Sequence, residues 1–304
     1  MRPVRTKALS LAGAAALTMS VIGATGAGAV PEVGEGESDV VVTHSLATTM
    51  AQQSSVEQYW TPERMKEATP RELTGTGKGE ASTSSSMAPM QQAVRVNPQP
   101  RFGKVFFTIA GSDYVCSGTA TQSVNRDVVT TAGHCLNDGP GNWATNFAFV
   151  PAYDNGSAPY GTWVAENLVA PSQWVNSGDF NYDVAFAVMG EQGGESLVDA
   201  VGSYPIGFNM GYNRNFSAFG YPAASPYNGQ YLYRCSGTAG RDTRGTNDHR
   251  LPCSMTGGSS GGGWITNGTL NSVNSFGYRD ESNVMYGPYF GNVAQQVYDA
   301  AQND

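Results

Sequence analysis

A serine set among glycines occupies residues 255–264, Met-Thr-Gly-Gly-Ser-Ser-Gly-Gly-Gly-Trp, and far upstream a histidine stands in Thr-Ala-Gly-His-Cys at residues 131–135. A serine hydroxyl becomes a nucleophile for acyl transfer when three needs are met. A base takes its proton, a carboxylate holds that base in one tautomer, and N–H donors receive the oxyanion that develops on the attacked carbonyl. The sequence offers one set of residues for these tasks. Ser260 is the nucleophile, because the G-x-S-G-G register favours it over its neighbour Ser259. The surrounding glycines allow positive φ and turn backbone N–H groups toward one point, so Gly258 and Ser260 are the expected oxyanion donors. His134 is the base. Of the other two histidines, His44 lies in a distinct N-terminal region and His249 lies in a polar stretch, residues 244–250, that reads as an exposed loop. Asp183 opens the apolar run Asp-Val-Ala-Phe-Ala-Val, where a buried carboxylate needs a partner. Asp179, in a polar turn, is its nearest rival.

The same serine turn fits G-x-S-x-G, the nucleophile elbow of a different hydrolase architecture. That arrangement requires a histidine after the serine. All three histidines precede Ser260, so the elbow reading fails and the order His–Asp–Ser remains.

The elements that must position these residues are short strands. Residues 105–109, 127–131, 147–150, 184–188, 215–219 and 230–233 are rich in β-branched and aromatic residues and are separated by Gly, Pro and Asn turns. With 14 % charged residues and 38 glycines in 304, the composition suits a loop-rich all-β protein. Gly291-Asn292, followed by Val293, Val297 and Ala301, predicts a C-terminal helix over about residues 292–301. The net charge of −8 and the lack of a basic cluster argue against nucleic acid as a partner. Four cysteines, Cys116, Cys135, Cys235 and Cys253, predict two disulfides in an exported chain, and three pairings are open. Sequential pairing would close two loops worth roughly 3 kcal/mol each. With no C-x-x-C and three histidines, no metal site is expected, and serine chemistry calls for no cofactor.

The N-terminal third differs. Arg2, Arg5 and Lys7 precede an apolar, Ala-rich run over residues 8–25 and an A-x-A signal at Ala27-Gly28-Ala29. Residues 1–29 therefore read as a secretory leader. Once it is removed no segment can span a membrane. Residues 30–95 lack cysteine. Thr61-Pro62-Glu63 there predicts a capped helix start, and residues 75–86, rich in Gly, Ser and Thr, read as a linker. A small folded element, a linker and a cysteine-bearing region form the layout of a pro-segment ahead of an enzyme at residues 96–304.

Cys116-Ser-Gly-Thr, Thr-Ala-Gly-His-Cys at 131–135, Tyr182-Asp-Val-Ala-Phe, Gly258-Ser-Ser-Gly-Gly and Ser275-Phe-Gly together resemble the chymotrypsin-fold serine peptidases, in the bacterial secreted branch that includes glutamyl-endopeptidase-like enzymes. The resemblance covers roughly residues 101–304. It implies two six-stranded antiparallel β-barrels, at about residues 101–200 and 201–290, with His134, Asp183 and Ser260 in the cleft between them. It also implies the bridges Cys116–Cys135 and Cys235–Cys253, and a segment Ser275, Phe276 and Gly277 that pairs with substrate backbone. The expected activity is that of a monomeric, secreted serine endopeptidase acting on protein or peptide substrates. A catalytically silent binding protein and an esterase are the alternatives on the same fold. Two positions depart from the family pattern. Ser259 stands where the animal enzymes carry the aspartate that receives the new N-terminal amine, so the pro-segment must act by blocking or by assisting folding. Ser254, aligned with the floor of the specificity pocket, supplies no counter-charge for a basic side chain, and the histidine of acid-specific relatives is absent. A neutral side chain is therefore expected there.

Overall fold

The computed structural model describes residues 40–71, 74–75 and 92–304. In its first half the strands Phe102–Ile109, Ser112–Thr121, Val128–Thr131, Ala185–Met189, Trp163–Pro171 and Thr145–Pro151 pair antiparallel in that spatial order, and the last returns to the first. This is a closed six-stranded barrel. Alternation along Phe102–Ile109 sends Val105, Phe107 and Ile109 into the barrel, while Phe102 and Phe106 point outward into a second apolar cluster. The strand is therefore buried on both faces.

The second half arranges Thr269–Val273, Gly263–Thr266, Arg214–Gly220, Tyr233–Arg241, His249–Pro252 and Val284–Gly287 side by side around Phe216, Ala218, Trp264 and Met285. Among the described residues its two end strands do not pair, so it is a half-barrel where a closed one was expected. The helix Asn292–Gln302 lays Ala294, Val297, Tyr298 and Ala301 against the first barrel, in line with the expected C-terminal helix. The all-β, two-barrel expectation thus describes the fold.

Two local expectations are corrected, and two strands are added. Residues 230–232 lie outside the strand, which begins at Tyr233. Ser112–Thr121 and Trp163–Pro171, long strands with mixed polar and apolar sequence, escaped the pattern. Within the stretch 244–250, expected as an exposed loop, His249 is buried in a strand among the rings of Tyr212, Phe216, Trp264 and Tyr289. Burial pushes its pKa down to about 4, so it is a neutral core residue.

The N-terminal region is folded onto the first barrel. Val41–Ser45 adds to Trp163–Pro171 as an antiparallel strand. The helix Met50–Tyr59 starts on a capping box between Thr49 and Gln52. The next helix, Pro62–Glu67, begins as the sequence predicts, with Thr61 Oγ1 accepting the Arg64 N–H and Pro62 in its first turn. Trp60 and Met65 sink into the outer cluster beside Phe106, and Trp60 Nε1 donates to the Asn146 carbonyl at 2.6 Å. The predicted leader, residues 1–29, and nearly all of the predicted linker lie outside the described residues. Among the described residues no helix is long and apolar enough to cross a membrane.

One buried acid ties the barrel to its flank. Asp127 Oδ1 accepts the Leu197 N–H at 2.7 Å, yet burial outweighs that bond and raises its pKa to about 6. An unfolded aspartate ionises near pH 4. The stability linked to Asp127 is therefore full below about pH 4 and is lost as pH rises through about 6. Asp127→Asn should raise the melting temperature relative to wild type increasingly across that interval. Parallel melting profiles of the two proteins from pH 4 to 7 would contradict this.

Candidate active site

Antiparallel pairing of Ala185 with Thr131 places the start of one strand beside the end of another. The chain then turns through Gly133–Cys135 and brings His134 onto Asp183. The His134 N–H donates to Asp183 Oδ1 at 2.8 Å, and His134 Nδ1 lies 2.8 Å from Asp183 Oδ2. The Ser275 hydroxyl donates to the same Oδ2. Both His134 and Asp183 are fully buried. With Oδ2 as acceptor the proton belongs on Nδ1, which leaves the lone pair on Nε2. Among the described residues Nε2 has no hydrogen-bond partner. Gly133 permits the turn, since a Cβ there would come within 2.8 Å of the Trp174 ring and 3.0 Å of Asp183 Oδ1. Asp179, the rival carboxylate, instead accepts the backbone and side-chain N–H groups of Asn181.

Ser260 reaches this place from the other half. Its carbonyl accepts the Ser117 N–H at 2.7 Å, beside Cys116, which is bridged to Cys135 next to His134. Gly258 and Gly261 have φ of +93° and +80°. A Cβ on Gly261 would fall 2.0 Å from Thr131 Oγ1 and 2.4 Å from the Ser117 carbonyl, so only glycine lets the serine turn close against the histidine strand. Among the described residues neither the Gly258 nor the Ser260 N–H donates to a protein carbonyl. Ser259 is part of the frame: its hydroxyl donates to the Thr256 carbonyl at 2.7 Å, and its own carbonyl accepts Asn274 Nδ2 at 2.9 Å. Asn274 also donates to the Phe219 carbonyl and accepts Trp264 Nε1. Ser117 Oγ completes the brace, donating to the Gly258 carbonyl and accepting the Tyr221 N–H. Sequence reading missed the bracing by Asn274 and Ser117, because polar side chains that bond mostly to backbone leave no spacing signal.

A cavity of about 270 Å³ opens beside Ser260, lined in part by Met255, Thr256, Ser275, Phe276, Gly277 and Tyr278. Ser254 is not brought to it. Its hydroxyl accepts the Ala93 N–H and bonds to the Tyr227 hydroxyl. The second bridge, Cys235–Cys253, lies next to Ser254 in the half-barrel core.

The cleft is occupied by the chain's own N-terminal region. Thr69-Pro70 pairs parallel with Tyr114-Val115, the Arg71 N–H donates to the Val115 carbonyl, and Thr74-Gly75 pairs parallel with Gly277-Tyr278. Between these contacts the Ser260 hydroxyl donates to the Arg71 carbonyl at 3.5 Å.

No family model matches the chain. Among solved structures, the protease Anisep from Arthrobacter nicotinovorans is 51 % identical with a TM-score of 0.67, covering 69 % of this chain and 99 % of its own. The chain belongs to the serine proteases of chymotrypsin-like fold. The thermostable serine protease AL20 from an extremophilic microorganism agrees, at 49 % identity and a TM-score of 0.66 over 67 % of this chain and 98 % of that one. A Glu endopeptidase, 19 % identical with a TM-score of 0.58 over 70 % of this chain and 97 % of its own, shares the fold. An extracellular metalloprotease of Bacillus subtilis is 28 % identical over 114 residues, 38 % of this chain and a third of that protein's length. That protein's name implies a metal. Among the described residues the one candidate grouping is Cys116, His134 and Cys135, whose sulfurs are joined to each other and whose imidazole is held by Asp183.

Removing the Asn274 side chain from this protease would orphan the buried Trp264 N–H and untie the serine turn. Asn274→Ala should cost about 3 kcal/mol, read from the denaturation midpoint. A loss below about 1 kcal/mol would show that the turn is held by other contacts.

Proposed function

We propose that the chain is the latent precursor of a secreted serine endopeptidase, with Ser260 as nucleophile, His134 as proton carrier and Asp183 as the group that orients His134. The observation that carries the reading is the environment of Asp183, which engages both the backbone N–H and Nδ1 of His134 and leaves Nε2 with a free lone pair. In the proposed reaction His134 Nε2 takes the Ser260 proton as Oγ attacks the scissile carbonyl. The N–H groups of Gly258 and Ser260 receive the oxyanion. His134 then gives its proton to the departing amine, and water repeats the sequence on the acyl-enzyme. Every proton moved stays on Nε2 or the reacting atoms, so no cofactor enters. Ser275, Phe276 and Gly277 would pair with substrate, and the adjoining cavity would take the side chain before the cut. Proteins or peptides are the expected partners, acted on by a monomer.

Residues 30–95 act in this proposal as a pro-segment and residues 96–304 as the peptidase domain. That domain is 209 of 304 residues, the same 69 % share that matches Anisep over nearly its whole length. Export agrees with the leader-like residues 1–29 and with two disulfides among four cysteines. Latency follows from polarity. The leaving amine must lie on the His134 side, so a substrate runs from the strand at Gly277 toward Val115. The pro-segment runs the opposite way, from Val115 toward Gly277. Its Arg71 carbonyl presents oxygen to Ser260 instead of carbon, which supports a segment bound but not cut.

The processed protein should hydrolyse peptides and take up a serine-directed phosphonate at Ser260, while the unprocessed chain does neither. Ser260→Ala should lower kcat at least about a thousandfold and leave the thermal transition in place. Wild-type turnover by that variant would sink the assignment of Ser260. Full activity of the unprocessed chain would sink the blocking role of residues 30–95.

A further inference from the structure

Arg71 sits at the nucleophile by its backbone, yet its side chain does not enter the cavity beside Ser260. It turns the other way. The guanidinium pairs with the Asp138 carboxylate and lies over the Tyr114 ring, 5.2 Å from its centroid. The Arg71 side chain is only 13 % exposed and that of Asp138 25 %, so this pair is largely withdrawn from water. The acid is built into its place. Asp138 Oδ2 accepts Asn142 Nδ2, its backbone N–H donates to the Asn142 carbonyl, and the preceding Asn137 carbonyl accepts Trp174 Nε1. Nothing in the reaction described above uses Asp138 or Tyr114.

Their position defines which part of a substrate they would meet. Asp138 lies four residues after His134, and Tyr114 lies two residues before Cys116, which is bridged to Cys135. Both therefore flank the histidine side of Ser260, where the leaving amine must be protonated. Residues that follow the scissile bond are attached to that amine. When the pro-segment leaves, a carboxylate and an aromatic face stay behind at a spot that has already accommodated a guanidinium.

We propose that Asp138 and Tyr114 form a subsite for a basic side chain, arginine above all, within the first two residues after the scissile bond, and that Arg71 is its built-in occupant in the latent chain. The inference rests on the proteolytic reading above and adds a specificity on the leaving-group side, independent of the cavity beside Ser260. A planar guanidinium can meet the carboxylate edge and the ring face together, which a lysine ammonium does less well.

The test uses the processed protein obtained from the full chain and quenched fluorescent peptides that differ only in the two residues after the cut. The readout is the ratio of kcat/KM for arginine over alanine within each enzyme, so an overall change in activity cannot mimic the effect. Wild type should give a ratio of about ten, falling as salt rises from 50 mM to 1 M. Asp138→Asn should bring the ratio near one, and Asp138→Lys should favour glutamate over arginine. Tyr114→Leu, which leaves the acid in place, should lower the ratio by about threefold, and it serves if the Asp138 variants fail to fold. A wild-type ratio near one in an enzyme that cleaves the peptides overturns the subsite and leaves the proteolytic reading standing. So does a ratio unchanged in Asp138→Asn. If wild type cleaves no peptide in the set, both the subsite and the reading beneath it fall.

Discussion

The site turns on one buried carboxylate. Among the described residues Asp183 has no lysine or arginine for a partner; its two oxygens are met by the His134 N–H, His134 Nδ1 and the Ser275 hydroxyl. Burying a carboxylate without such donors would cost several kcal/mol. Satisfying it fixes three things at once: the backbone of the histidine turn, the orientation of the imidazole, and the approach of the segment that carries Ser275 from the second half. The two halves of the fold are therefore registered against each other at the atoms where the proposed chemistry occurs. Trp174 and the Cys116–Cys135 bridge hold the same turn from its other sides, so the imidazole has little freedom apart from the side facing the cleft.

The serine turn is ordered by a different device. An activating salt bridge is closed to it because Ser259 carries no charge. Neutral hydrogen bonds take its place: Ser117 Oγ donates to the Gly258 carbonyl, the Ser259 N–H and hydroxyl donate to the Thr256 carbonyl, and Asn274 Nδ2 donates to the Ser259 carbonyl. A network of this kind is present as soon as the barrels pack and needs no newly created chain terminus. The brace around Ser260 can thus exist before any processing, and in the proposed precursor latency would come from occupation of the cleft instead of from a disordered turn.

Much of this was legible in the sequence, and the boundary of legibility is physical. Gly258, Gly261, His134 and Asp183 announce themselves because their chemistry demands particular residue types at particular places. Val128–Thr131 is wholly β-branched and Ala185–Met189 wholly apolar; both are buried on both faces and stand out for that reason. Ser112–Thr121 does not, because seven of its ten residues are buried yet four of those seven are serine, threonine or glycine, packed where the two halves meet. His249 was hidden by its polar flanks, since nothing local reveals that four aromatic rings close around it. The pairings at Thr69-Pro70 and Thr74-Gly75 leave no trace at all, because two residues are too few to carry any periodicity.

Those short pairings also explain how a weak contact can suffice in the cleft. A few backbone bonds and one ion pair would not retain a free peptide for long. The segment, however, is anchored elsewhere, by the added strand Val41–Ser45 and by Trp60 and Met65 sunk into the outer cluster of the first barrel. Only a short helix separates Trp60 from Arg71. Such tethering converts cleft binding into an intramolecular event with an effective concentration far above that of any substrate in solution. Binding strength and blocking are thus placed on different parts of the segment. In the proposed precursor the remote anchor would supply the occupancy, and the reversed strand at Ser260 the resistance to cleavage. On the proposed reading, a cut between the anchor and the peptidase domain would leave the anchor docked but let it dissociate as a separate chain, with the cleft opening only as fast as Trp60 and Val41–Ser45 come away from the barrel.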